Sequence, residues 1–168
     1  MRWFKVKKAI AAAVFFSLTS GTLGPRSQPR LHPTAYSSDP RLSRLKAFLH
    51  AHRSPLYAHA HHFLRAADLY GLDWRLLPAI AVLETGAGRT ARNNNFFGWA
   101  SGERLFPSAP YAIHWVAWRL ARSPLYRGRT LDAVLRTYNP QPNYARRVAA
   151  LMRRLGNVEQ LRSYPSRK

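Results

Sequence analysis

The sequence predicts a predominantly helical α+β domain carrying one small β-hairpin. Three observations predict it. Between residues 39 and 156, apolar side chains recur three and four positions apart in successive segments, most of them opened by a capping residue or a proline. One stretch, Phe96 to Phe106, breaks that period, with short aromatic and apolar runs on either side of Ser101-Gly102. That pattern fits a small β-hairpin or an ordered loop. Finally, a 168-residue chain without cysteine has neither disulfides nor Cys-ligated zinc, so a packed core must hold it together.

The elements follow in order. Asp39-Pro40 reads as a cap followed by proline at the first helical position, and Leu42, Leu45, Phe48 and Leu49 then share a stripe. Ser54-Pro55 opens a second helix with Leu56, Ala60, Phe63, Leu64 and Ala67 on one face, ending at Gly71. Asp73 caps a third, running to about Thr85 before Gly86 and Gly88, with a bend or a late start expected at Pro78. After the aperiodic stretch, Ser108 leads a helix with Ile113, Val116, Ala117 and Leu120 on one face. Thr130 caps a short one carrying Leu131, Val134 and Leu135. Asn143 caps the last, with Val148, Leu151, Met152 and Leu155, stopped by Gly156. Ser-Pro-Leu-Tyr occurs at Ser54–Tyr57 and again at Ser123–Tyr126, and both copies read as proline-initiated helix starts or turns.

Outside this domain the chain changes character. Met1 to Lys8 holds four cations (Arg2, Lys5, Lys7, Lys8) and no acid. Ala9 to Leu18 is apolar apart from Ser17, and small residues follow. This is the order of a secretory signal, expected to occupy residues 1–24. Its apolar run is too short to span a bilayer, which needs about 20 residues. Residues 25–38, rich in Pro, Ser and Arg, are expected to form a flexible linker, and residues 157–168 a loose tail. Lys and Arg number 27 against seven acids, a net charge of +20. Such an excess attracts polyanions: nucleic acid, anionic lipid or an anionic wall. An exported chain meets the cell envelope, so the expected location is secreted or periplasmic. The expected partner is the anionic envelope rather than a specific nucleic acid, with no transmembrane segment in the mature, monomeric protein.

Acids are few enough to sort. Asp39 and Asp73 fit helix caps, and Asp132 lies in a first helical turn where the helix dipole favours an anion. Asp68 falls near a helix end and Glu159 in the tail. Glu84 and Glu103 are left without a routine role. Glu84 ends the most apolar helix and shares a stripe with Leu77, Ile80 and Ala81, at the edge of the core face. A carboxyl partly withdrawn from water favours the protonated form that can donate to a leaving glycosidic oxygen. The other reading is an ion pair with Arg89 or Arg92.

Ala79-Ile80-Ala81-Val82-Leu83-Glu84-Thr85-Gly86-Ala87-Gly88-Arg89-Thr90, followed by Asn94-Asn95-Phe96-Phe97-Gly98-Trp99, resembles the N-acetylglucosaminidase family of bacterial autolysins and flagellar peptidoglycan hydrolases. There a helix ends in Glu-Ser-Gly-x-Gly and an Asn-Asn-x-Phe-Gly element follows; here Thr85 stands for the serine. Tyr138-Asn139-Pro140-Gln141-Pro142-Asn143-Tyr144-Ala145 resembles that family's late Tyr-x-x-x-Pro-x-Tyr-Ala segment. The likeness runs from about Leu72 to Leu155. It implies a lysozyme-like fold, with a small β-lobe facing the helices across a cleft, and cleavage of peptidoglycan glycan strands after N-acetylglucosamine. It makes Glu84 the general acid and puts Tyr138 or Tyr144 near the cleft.

Glu103, in the expected hairpin, is the candidate second carboxylate. It would act as base for an attacking water if the two carboxyls stand about 6.5–9.5 Å apart. Otherwise it is a solvated turn residue and the substrate acetamido group assists. Phe97, Trp99 and Tyr144 are candidates for stacking on sugar faces. Asn94 and Asn95 would bind acetamido groups or shape the turn. Trp115 and Trp118 are expected in the core. His50, His52, His59, His61 and His62 crowd one region, but their spacing and the lack of further ligands make no metal site. Neither metal nor cofactor is expected, and no glycine-rich phosphate loop or serine nucleophile elbow occurs. Two other readings stand beside the hydrolase: a lytic transglycosylase of the same fold, and a non-catalytic binder of wall or another anionic polymer.

Overall fold

The computed structural model describes residues 36–156. The expected signal segment at 1–24, the linker as far as residue 35 and the tail at 157–168 lie outside the described residues. The described chain is mostly helical: α1 Pro40–Ala51, α2 Ala60–Tyr70, α3 Leu76–Thr85, α4 Ala109–Arg122, α5 Leu131–Tyr138 and α6 Tyr144–Gly156.

Local chemistry accounts for most of the helix starts. Asp39 accepts from the Arg41 N–H at 2.8 Å, and proline opens α1. Ser108 and Thr130 cap α4 and α5 in the same way. Asp73 caps its turn by accepting from the Arg75 N–H at 2.9 Å, and α3 then starts late, at Leu76. Pro78 thus falls in the first turn, where its missing N–H costs no helical hydrogen bond. Pro55–His59 forms a 3-10 turn, and regular α-helix begins only at Ala60. Asn143, expected as the cap of α6, has φ +68°, outside the extended backbone of an ordinary N-cap.

Core packing reaches into the segment that the composition marks as linker. Tyr36, inside the expected linker, is buried and donates its hydroxyl to Asp68 at 3.0 Å. Arg41 joins that carboxylate to Asp39, so the start of the domain is tied to α2 by a four-residue polar cluster. Burial, reinforced by Asp68, pushes the Tyr36 phenol up to about 12.

The core is one cluster. α2 packs most extensively on α4, α3 lies against α6, and α1 touches both α2 and α6. Leu45, Phe48, Leu49, Phe63, Leu64, Leu77, Ile80, Ile113, Leu135 and Leu155 are all buried within it. The helical stripes meet there because each helix has only one apolar face to hide. Trp118, expected in this core, is 43 % exposed, while Trp115 is partly buried and packs against the core's edge.

No strand occurs among the described residues. Phe96–Phe106, expected as a β-hairpin or an ordered loop, is a loop containing a 3-10 turn at Trp99–Gly102. Gly98, Ala100, Ser101 and Gly102 all have φ between +51° and +89°, a left-handed run that no strand tolerates. One backbone bond, Phe106 N–H to the Asn93 carbonyl at 3.0 Å, closes the base. Side chains supply further closing bonds where a ladder would otherwise run.

His62 on α2 faces His114 on α4, with ring centres 5.9 Å apart, and His61 and His59 at 4.0 and 6.0 Å. Burial, then the charges of His61, His114, His59 and Arg65, pushes His62 down to about 4. His61 and His114 are lowered as well, again chiefly by burial, and Lys46 adds to the field at His61. The folded protein thus holds these rings neutral. The contribution of His62 is intact above the ordinary value of 6.5 and is lost as pH falls from there toward 4, because the unfolded chain takes up the proton first. The thermal midpoint is expected to drop between pH 7.5 and pH 5, and to drop less in His62→Phe. Parallel pH profiles for the two proteins would remove the cluster from the account.

Candidate active site

The last turn of α3 delivers Glu84 to the edge of the core, partly buried. The Tyr144 hydroxyl, from the start of α6, donates to Glu84 Oε1 at 2.8 Å. On the other oxygen lies Gly98, with φ +62°; a Cβ there would run into Oε2 and lie 3.2 Å from the carboxyl carbon. Only glycine suits this position, on both backbone and steric grounds. Tyr138, at the end of α5, donates to the Phe97 carbonyl. Its ring stacks on Tyr144 at 6.2 Å and 14°, and Trp99 meets Tyr138 edge-on at 5.8 Å. Burial, followed by Glu84 and Tyr126 for Tyr138 and by Tyr138 and Glu84 for Tyr144, drives both phenols well above their ordinary range. Both therefore remain hydrogen-bond donors at any physiological pH.

The residues around Glu84 keep this geometry through local bonds. Thr85 Oγ1 donates to the Phe96 carbonyl at 2.8 Å and accepts from Gly88 N–H at 3.0 Å. The threonine thereby locks the aromatic loop onto the end of α3, and the hydroxyl that matters is the one serine would also supply. Gly88, with φ +94°, packs where a Cβ would crowd Phe96, Leu56 and Pro55. Ser54 Oγ donates to the Ala87 carbonyl at 2.6 Å and accepts from Leu56 N–H, anchoring the same turn from the other side.

The candidate residues separate into two groups. Glu84, Tyr138, Tyr144 and Trp99 come together. Tyr144 is buried and bonded to Glu84, so it holds the carboxyl rather than offering a ring face to a sugar. Phe97, expected against substrate, is fully buried and meets Phe63 edge-on at 6.5 Å; it is a core residue that pins the loop to α2. Its neighbour Trp99 is the partly exposed ring.

Asn95 is 2 % exposed and shapes the loop: Nδ2 donates to the Trp99 and Arg104 carbonyls at 2.9 and 3.1 Å, and Oδ1 accepts from Trp99 N–H at 2.9 Å. Asn94 donates to the Phe106 carbonyl at 2.9 Å. Glu103 is exposed at the end of the 3-10 turn, and no hydrogen bond or ion pair ties its carboxyl to another described residue. Removing the Asn95 amide leaves partly buried backbone groups without these partners, so Asn95→Ala is expected to cost about 1–3 kcal/mol, read by urea unfolding. A loss below about 0.5 kcal/mol, the range of neutral surface changes, would show that the loop is held by other means.

Three features were missed in the sequence. Gly98 is a contact of the acid, Trp115 meets Trp99 edge-on at 5.0 Å, and Arg104 and Arg119 stand beside these rings. The four-residue spacing of Trp115 and Arg119 on one helix was a usable signal. Their meeting with Trp99 and Arg104 was not, since those lie in an aperiodic loop.

Among the described residues no helix is long and apolar enough to cross a membrane, and no three His, Asp or Glu side chains are grouped to hold a metal ion. No family model matches the sequence, and no curated protein matches it either.

Proposed function

We propose that this chain is an exported peptidoglycan hydrolase of lysozyme-like fold that cleaves glycan strands after N-acetylglucosamine, with Glu84 as general acid. The observation that carries the reading is the setting of Glu84. A single carboxyl at the end of an apolar helix is fixed on one oxygen by Tyr144 and flanked on the other by a glycine, beside a partly exposed Trp99. The motif resemblance supports it, since the residues in contact belong to both matched segments.

As general acid, Glu84 passes its carboxyl proton to the leaving glycosidic oxygen as the bond to the anomeric carbon breaks, while Tyr144 holds Oε1. Water then adds to that carbon. Its proton goes to Glu103 if that exposed residue reaches the far side of the sugar; otherwise the acetamido oxygen first bonds to the anomeric carbon as the leaving group departs, and the water that then opens this ring gives its proton to the Glu84 carboxylate. Tyr138 acts through position, holding the Phe97 carbonyl and hence Gly98 against the acid. The net positive surface would hold the enzyme on an anionic envelope.

The test is a digest of purified sacculi by the full chain, read by mass spectrometry. Products with reducing-end N-acetylglucosamine support the reading. Anhydro-muramic ends indicate a lytic transglycosylase instead. Retention on sacculi without any product indicates a binder and overturns the proposal.

A further inference from the structure

Arg104 and Arg119 reach the same ring. The Arg104 guanidinium carbon lies 3.9 Å from the centre of Trp115 and 5.2 Å from that of Phe106. That of Arg119 lies 5.6 Å from Trp115 and 5.9 Å from both Trp99 and Trp118. Both side chains are partly buried, and the Nε of each is buried with no hydrogen-bond partner. No described carboxylate forms an ion pair with either. Arg41 engages Asp39 and Asp68, Arg75 engages Asp73, and Arg136 engages Asp132. Two cations thus share one indole without a counter-charge among the described residues. The ring faces offset part of the cost. A guanidinium stacked on a ring, however, directs its N–H groups outward in its own plane, in the fork that binds a carboxylate through two bonds.

The position of this pair says which carboxylate. Trp99 belongs both to the Arg119 cluster and, through Tyr138 and Tyr144, to the group around Glu84. An anion at the arginines would lie beside Trp99, the ring that also borders the group around Glu84.

Resting on the hydrolase reading, we infer that Arg104 and Arg119 form a subsite for a carboxylate of the peptide stem borne by the glycan, so the enzyme prefers stem-bearing strands to neutral ones. The Trp115 ring backs the Arg104 guanidinium at 3.9 Å, Arg119 lies at the edge of the same cluster, and the substrate supplies the counter-charge.

The test compares wild type, Arg104→Gln, Arg119→Gln and the double variant on two substrates: strands with free stem carboxylates, and the same strands with those carboxylates converted to amides. Thermal melts verify folding. Wild type is expected to lose about tenfold or more in kcat/KM on amidated strands. Each variant is expected to fall to that lower level on native strands and to show little further loss on amidated ones, a tenfold change corresponding to about 1.4 kcal/mol.

Equal losses on both substrates would reduce the arginines to supports of the tryptophan cluster and overturn the inference. So would wild-type rates on both substrates. Calorimetry of a soluble disaccharide-tetrapeptide with the Glu84→Gln chain separates this inference from the hydrolase reading. If wild type cleaves nothing, the activity is wrong, yet a roughly tenfold weaker Kd after adding Arg119→Gln still supports the subsite. An unchanged Kd refutes it.

Discussion

Glu84→Gln is expected to lower kcat on sacculi by about a thousandfold, within the range for losing a positioned general acid, while leaving the thermal midpoint and wall binding nearly unchanged. Glutamine keeps the shape of the side chain and an oxygen able to accept from Tyr144, which donates at 2.8 Å in the native protein. What it lacks is a transferable proton. The loss therefore belongs in kcat rather than KM, the mark of an interaction made only in the transition state. Glu103→Gln sharpens the result. If Glu103 activates water, its loss approaches that of Glu84→Gln; if the acetamido group assists, the loss stays within about tenfold, below the usual range for a general base. Turnover by Glu84→Gln at wild-type rate would falsify the assignment of the acid, whatever Glu103 does.

The second large effect is expected at a residue with no chemistry of its own. Gly98→Ala places a methyl where Glu84 Oε2 now lies, at a backbone φ of +62°. The left-handed backbone alone costs about 1–2 kcal/mol for an L-residue with a Cβ. The larger consequence is positional. Either the carboxyl moves or the loop lifts away, and a misplacement of about 1 Å is enough for a hundredfold loss in rate. The expected outcome is a modest fall in thermal midpoint and a fall in kcat of about a hundredfold. Gly102→Ala is the control: φ is +89° there, but nothing lies within 4 Å of the added Cβ. It should share the backbone cost and keep the rate. Equal kinetic losses in the two variants would mean that loop strain, and not the contact with Glu84, governs activity.

Much of this molecule was legible because its helices are specified locally. A cap oxygen and a proline act within one turn, so Asp39-Pro40, Ser108 and Thr130 mark their helices without reference to distant residues. The same holds for Glu84: an acid closing a run as apolar as Leu76–Leu83 stands out wherever the rest of the chain goes. The aromatic loop was much less legible. Phe97 and Trp99 both matched the motif, yet one is fully buried against Phe63 and the other is partly exposed. Nothing periodic separates them, since the loop's backbone alternates neither as strand nor as helix. Tyr36 was hidden for a related reason. A lone aromatic in a Pro- and Ser-rich stretch carries no pattern, and its partner Asp68 lies 32 residues away.

The sequence by itself determined the helical class, the helix starts that carry side-chain caps, and the place of Glu84 at the end of the most apolar helix, because those properties depend on neighbours one helical turn away. Only the tertiary structure decided that Tyr144 reaches Glu84 across 60 residues, that Gly98 sits against its second oxygen, and that two arginines meet at Trp115. Such contacts arise when the stripes of α2, α3, α4 and α6 are buried together, and the packing that excludes water from the core is what draws residues from distant segments to its edge.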